Sequence, residues 1–388
     1  MHSRQVPARG SRLGAGLLVA LAVALVVISL VLTARAVGPA SRPGPGAQAA
    51  TEPAATEPAV TDPAATDPAP RPTTPTTSPP AARITLAFAG DVHFEGRTAT
   101  RLAADPATTL GEATTALADA DLTMVNLETS ITERGTPEPK TFTFRAPVSA
   151  FTALRSAGVD IATLANNHAA DFGEVGLADT LAAIRTSGFP TVGIGADAAG
   201  AYAPHYADVR GHRVALLAAS QIQDRTLAAW SAGQSSPGIA NAYDDRLVAA
   251  VRQARQRAEV VVVYLHWGVE GQGCPSADQR AVAARLAAAG ADAVVGTHAH
   301  LLLGGGFLGP TYVAYGLGNY LWWRDSAYSN DTGVLRLTFA GRRVVSANLA
   351  PARIDSRGVP VPATGETAAR ISRRWTDLAG CAGLAASP

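Results

Sequence analysis

The chain has 388 residues, a formal net charge of +1 and 47% hydrophobic residues. So balanced a charge removes the bulk electrostatic case for a nucleic-acid partner, and the length exceeds one typical domain. Lysine occurs once, at Lys140, a bias toward arginine that we attribute to codon usage in an alanine-rich chain.

Arg4, Arg9 and Arg12 precede Leu13–Thr33, a run without a charge that is long enough to span a bilayer as a helix. The basic flank predicts an N-terminus held in the cytoplasm. The rival is a cleavable signal peptide, since Ala34–Ala36 has a small-x-small pattern. Either way the remainder is expected outside the cytoplasm. There Cys274 and Cys381, which lack metal-type spacing, either pair or stay as free thiols. Gly38–Ala82 carries five-residue units of the type TEPAA and then a Pro/Thr/Ser run. Such a segment has too little apolar surface to fold and favours extended polyproline geometry, reaching on the order of 140 Å. The expected organisation is a basic segment at 1–12, an anchor at 13–36, a linker at 37–82, a folded domain at 83–351 and a tail at 352–388.

From Arg83 onward, short apolar runs alternate with helical stretches. Strands are predicted at 83–90, 122–126, 160–166, 259–266 and 292–298. Helices are predicted at 101–119, 149–158, 176–188, 244–258 and 277–289. That alternation argues for an α/β domain with a largely parallel buried sheet. A hairpin is expected at 205–218, turning at Arg210–Gly211, and antiparallel segments at 311–316, 332–339 and 343–350. A mixed, layered sandwich suits this better than a doubly wound sheet. In the tail, one short helix is possible at 366–379.

The polar residues follow the strands. Asp91 and His93 follow the first, Asn126 and Glu128 the second, and Asn166, Asn167, His168 and Asp171 the third. His266 and Glu270 end the fourth, and His298 and His300 end the fifth. Carboxyl ends of strands in open α/β sheets share one rim, where ligands bind. Residues two apart on a strand face the same way, so His298 and His300 are expected on one side. Five of the eight histidines therefore sit where they can converge. His205 and His212 flank a hairpin turn and read as surface residues. Each motif alone has a bland reading: Asp171 as a helix cap, Glu128 as a solvated loop carboxylate. The combination is what points to a metal site.

The ordered motifs GD, NLE, ANNHAADFG, HWGVE, GTHAH and YGLGNY, over roughly 84–322, resemble the capsule-synthesis CapA family. That family, also described as PgsA-like and tied to poly-γ-glutamate synthesis, belongs to the calcineurin-like metallophosphoesterase superfamily. The resemblance implies a four-layer α/β/β/α sandwich with a dinuclear metal site at one rim, and an anchored protein acting outside the cytoplasm. It implies Asp91, His93 and His300 as ligands of one metal, and Asn167, His266 and His298 as ligands of the other. Glu128 takes the place of a bridging aspartate, with an arm one methylene longer. His168 takes the place of a proton donor, with Asp171 placed to orient it. Asn126, Glu270 and Asn319 belong to motifs typical of the family. Position 93 is often not histidine there, so His93 restores the superfamily's Asp-x-His.

Imidazole, amide and carboxylate ligands together suit two divalent ions such as Mn, Fe or Zn rather than an all-oxygen calcium site. The implied activity is metal-dependent hydrolysis of a phosphoester or amide in a cell-surface anionic polymer. The implied alternative is an accessory or scaffold subunit of a membrane complex that makes or exports such a polymer. A non-hydrolytic activation step on a peptide is a third reading.

Overall fold

The computed structural model describes residues 82–111 and 114–388. The expected anchor, and all but the last residue of the expected linker, lie outside them. Among the described residues no helix is long and apolar enough to cross a membrane.

The first strand, Arg83–Val92, shows how the layers arise. Its side chains alternate, so Leu86 and Phe88 point to one face and Ala87 and Ala89 to the other. Leu86 and Phe88 join Met124, Val214, Leu216, Val262 and Tyr264 in one buried cluster between two sheets. Ala87 and Ala89 instead pack with Phe151, Leu154 and Leu177 of helices Ser149–Ser156 and Gly173–Ser187. On the far side, Val261, Val263 and Val294 pack under Leu247, Val251, Val282 and Leu286 of helices Asp245–Arg257 and Ala277–Ala289. The order is helix, sheet, sheet, helix.

In the first sheet the order is Pro360–Pro362, Arg343–Ile354, Asp331–Ala340, Arg83–Val92, Leu122–Leu127, Ile161–Thr163, Thr191–Val192, with Asn319–Leu321 added at the end of Arg83–Val92. The second runs Leu302–Leu308, Thr311–Leu317, Ala293–His298, Val260–Trp267, His212–Ser220, His205–Val209. Val260–Trp267 is parallel to both its neighbours and buried throughout, which is why it reads as a continuous apolar run. The helices end where their caps say. Ser276 and Gln279 form a capping box, and Gly290 closes the same helix with φ 107.

Four expectations need correction. The helix predicted at 101–119 is broken, because Asp105 is extended before Pro106 and helix Arg97–Ala104 stops there. The segment predicted antiparallel at 311–316 is antiparallel to Leu302–Leu308 but parallel to Ala293–His298. His212 is buried and its Nδ1 lies 2.7 Å from Glu259 Oε2, so it is not a surface residue. In the tail the helix is longer, Gly365–Ala382, and Ile371 and Trp375 enter the cluster between the sheets. Cys274 and Cys381 form a disulfide, which ties this helix to the loop after Trp267.

Candidate metal centre

The carboxyl ends of strands from both sheets meet on one rim. Gly90 makes the first approach possible, since a Cβ there would lie 1.8 Å from the Gly318 carbonyl oxygen. The strand shifts register at this point, and the Asp91 N–H donates to Gly318 O at 2.9 Å. Asp91 is thereby fully buried, beside Asn126 on one side and Asn319 on the other. Asn126 Nδ2 donates to Asp91 Oδ1 at 2.7 Å, and Asn166 Nδ2 donates to Asn126 Oδ1 at 3.0 Å. Across the sheet junction, the His298 N–H donates to Asp91 Oδ2 at 3.3 Å.

Two groups of ligand-type atoms form here, each within 4.8 Å: Glu128 with His266 and His298, and Asp91 with Glu128 and His300. Glu128 belongs to both. Asn167 joins the first group, its Oδ1 being 2.8 Å from His266 Nε2, which is 3.0 Å from His298 Nδ1. In the second, His300 Nδ1 lies 3.4 Å from Asp91 Oδ2 and 2.8 Å from Asn319 Oδ1. His93 enters neither group. Its Nε2 accepts from the Trp323 N–H at 3.2 Å, its ring stacks on Trp322 at 4.1 Å, and its buried Nδ1 has no hydrogen-bond partner among the described residues. Glu270 is exposed at the rim beside His300.

His298 and His300 share the rim for a reason other than strand alternation. Both have positive φ, 92° and 57°, so the backbone turns through left-handed conformations that a side chain rarely adopts. Their rings stand 5.9 Å apart and serve different groups.

The electrostatics fit a cation. Both oxygens of Glu128 are buried without a hydrogen-bond partner among the described residues, and burial, then the Asp91 charge, pushes its carboxyl well above the usual range. An unpaired buried carboxylate is costly unless a positive charge faces it. Burial holds His266 and His298 well below the ordinary imidazole value, so both stay in the neutral form that ligates metals. The donor set therefore fits divalent metal binding.

Beside the groups sits His168. Its Nδ1 lies 2.5 Å from Asp171 Oδ2, and its Nε2 faces Glu128 Oε1 at 3.8 Å. Burial lowers its pKa, while the Asp171 contact acts the other way. Lys140 stands behind Asp171, with Nζ 2.7 Å from Oδ1, and also donates to the Asn167 carbonyl. Lys140 is a support that motif reading passed over, whereas Asn166 stood in a motif without a role and here holds Asn126. The signal for Lys140 was its being the chain's single lysine.

The family profile described as "Bacterial capsule synthesis protein PGA_cap" matches residues 85–322, more than half of the chain and every residue named at this rim except Trp323. The chain belongs to that family. The capsule biosynthesis protein CapA of Bacillus anthracis is 30% identical over 216 residues, covering 55% of this chain and 52% of that protein. The PGA biosynthesis protein CapA of Bacillus subtilis is 31% identical, covering 52% of this chain and 56% of its own. A probable polyglutamine synthesis accessory protein of Mycobacterium tuberculosis is 33% identical, covering 46% and 50%. The chain spans about half the length of the curated relatives it matches. Among solved structures, a putative 5′-nucleotidase from Staphylococcus aureus has a TM-score of 0.45 at 15% identity, over 76% of this chain and 58% of that one. The PGA_cap match ends at Trp322, so the strands Asp331–Ala340 and Arg343–Ile354 and the C-terminal helix lie outside the matched residues.

Proposed function

We propose that this PGA_cap member is an exported, membrane-anchored hydrolase of the metallophosphoesterase type. It cleaves a phosphoester or amide in the synthesis of a cell-surface anionic polymer of the poly-γ-glutamate kind. The observation that carries the reading is Glu128, a buried carboxylate without a hydrogen-bond partner among the described residues, shared by two groups of metal-ligand atoms. His266, His298 and Asn167 would hold one ion, and Asp91 and His300 the other, with Glu128 between them. When bound, such ions supply Lewis-acid activation of water and of the scissile group.

The chain's own residues supply the proton. His168 presents Nε2 toward the cluster while Nδ1 faces Asp171, which fixes the ring's orientation. A proton delivered from Nε2 to the departing oxygen or nitrogen is worth typically 10²–10⁴-fold in rate. Lys140 balances the Asp171 charge, so the carboxylate holds the ring without an uncompensated buried charge.

A second reading is a non-catalytic accessory subunit of a synthesis or export complex, as the printed name of the Mycobacterium tuberculosis relative suggests for that protein. Metal analysis of a fragment beginning at Arg83, with phosphodiester and poly-γ-glutamate substrates, separates the two. Stoichiometric metal with metal-dependent turnover supports the hydrolase. Bound metal with no turnover on either substrate class supports the accessory role.

A further inference from the structure

A pocket of about 430 Å³ opens above the cluster, with His168, His300 and Asn319 at its floor and Phe142, Trp323 and Arg324 at its mouth. The aromatic wall is built in two tiers. The lower tier is buried: Phe144 stacks on His168 at 4.1 Å, and Trp322 packs on His300 at 4.5 Å and on His93. The upper tier reaches solvent, with Phe142 40% exposed and Trp323 edge-on to it at 6.0 Å.

Arg324 lies across that upper tier. Its guanidinium carbon is 4.8 Å from the Phe142 ring centre and 5.0 Å from that of Trp323. It forms no ion pair among the described residues, although arginines elsewhere on this surface find carboxylates, such as Arg134 with Asp179. The neighbouring Asp325 is occupied by Asn330 Nδ2. The backbone beneath is fixed, because Arg97 donates to the carbonyls of Trp322, Arg324 and Ser356. A guanidinium resting on aromatic faces has lost part of its freedom before any ligand arrives, yet keeps its N–H fork for a planar oxyanion.

We infer that Arg324 and its aromatic rests form a subsite for an oxyanion carried by the substrate next to the scissile bond. That oxyanion is a carboxylate on an acidic chain or a phosphate on a phosphorylated one. The inference rests on the proposed site being the substrate site, but it concerns binding and needs no turnover. It explains how a neutral protein selects an acidic substrate: by one pre-oriented cation over the cluster, not by overall charge.

The test uses the full chain, metal-loaded, with binding followed calorimetrically so that no turnover is required. The probes are a short γ-glutamate oligomer, the matching γ-glutamine oligomer, and phenyl phosphate. Arg324→Ala should weaken binding of the acidic oligomer or of phenyl phosphate roughly 10- to 100-fold, with Arg324→Lys intermediate. Whichever anionic probe is affected names the source of the oxyanion, and the neutral oligomer should bind weakly to both proteins. Unchanged metal content and melting temperature show that the variant is folded. Equal binding of acidic and neutral oligomers by the wild type, or no loss with either anionic probe in Arg324→Ala, would overturn the subsite. Arg324-dependent binding without hydrolysis would remove the hydrolase reading and leave the subsite standing.

Discussion

Lys140 Nζ and Asp171 Oδ1 lie 2.7 Å apart, and the other oxygen of that carboxylate faces His168 Nδ1. The pair is nearly buried, with the lysine side chain 12% exposed and the aspartate 0%. A chain with one lysine has placed it behind its candidate proton donor. Lys140→Met should therefore destabilise the fold by about 3–5 kcal/mol, because a buried carboxylate loses its cation. Lys140→Arg should recover only part of this, since a planar fork does not fit a site built around a compact ammonium. Chemical denaturation of the three proteins checks the order, and equal midpoints for Lys140→Met and wild type would count against it.

The position of Lys140 shows where sequence reading stops. Polar residues at strand ends were legible because strand and motif coincide: Asp91, Asn126, His266 and His298 all fall where an apolar run ends. Lys140 lies in an irregular segment with no such punctuation, and only the fold brings it to Asp171, 31 residues on. The turn at His298–His300 was legible in outcome but not in cause, because a positive φ in a non-glycine residue leaves no mark in the sequence. His93 matched a motif, yet the ring turns toward Trp322, a contact between residues more than two hundred positions apart. The layered α/β core was readable from alternation, whereas the burial of Ile371 and Trp375 depends on where a single amphipathic helix docks.

The disulfide and the C-terminal helix should matter for stability. Cys274 and Cys381 are separated by 107 residues, and a cross-link over that span stabilises by about 2–4 kcal/mol. Cys274→Ser with Cys381→Ser should lower the melting temperature while metal content stays unchanged. Deleting residues 365–388 should cost more, because it also strips Ile371 and Trp375 from between the sheets. A deletion variant that melts with the wild type would show that the helix is dispensable.

The pH dependence of the metal-free protein should carry two opposing signs. Burial holds His266 and His298 well below the ordinary value of 6.5. Below 6.5 the unfolded chain takes up protons that the folded chain refuses, so stability present above that value is lost as pH falls. Glu128 acts in reverse. Its carboxyl is raised well above 4.5, so the folded chain keeps a proton that the unfolded chain releases, and stability declines as pH rises through that interval. Denaturation midpoints in chelator, from about pH 5 to pH 8, should show His298→Gln flattening the acid-side loss and Glu128→Gln the opposite one. Superimposable profiles for all three proteins would contradict the assignment.

The central claim is that neighbouring histidines on one rim do different work. Elemental analysis of purified His298→Ala and His168→Ala variants tests it most directly. His298→Ala should lose metal, because one ligand of a coordination sphere is gone and only water replaces it. His168→Ala should retain wild-type metal content while losing turnover, and should lose much less with a leaving group that needs no proton. If His168→Ala sheds metal as readily as His298→Ala, or if neither variant changes metal content, the division of roles is wrong.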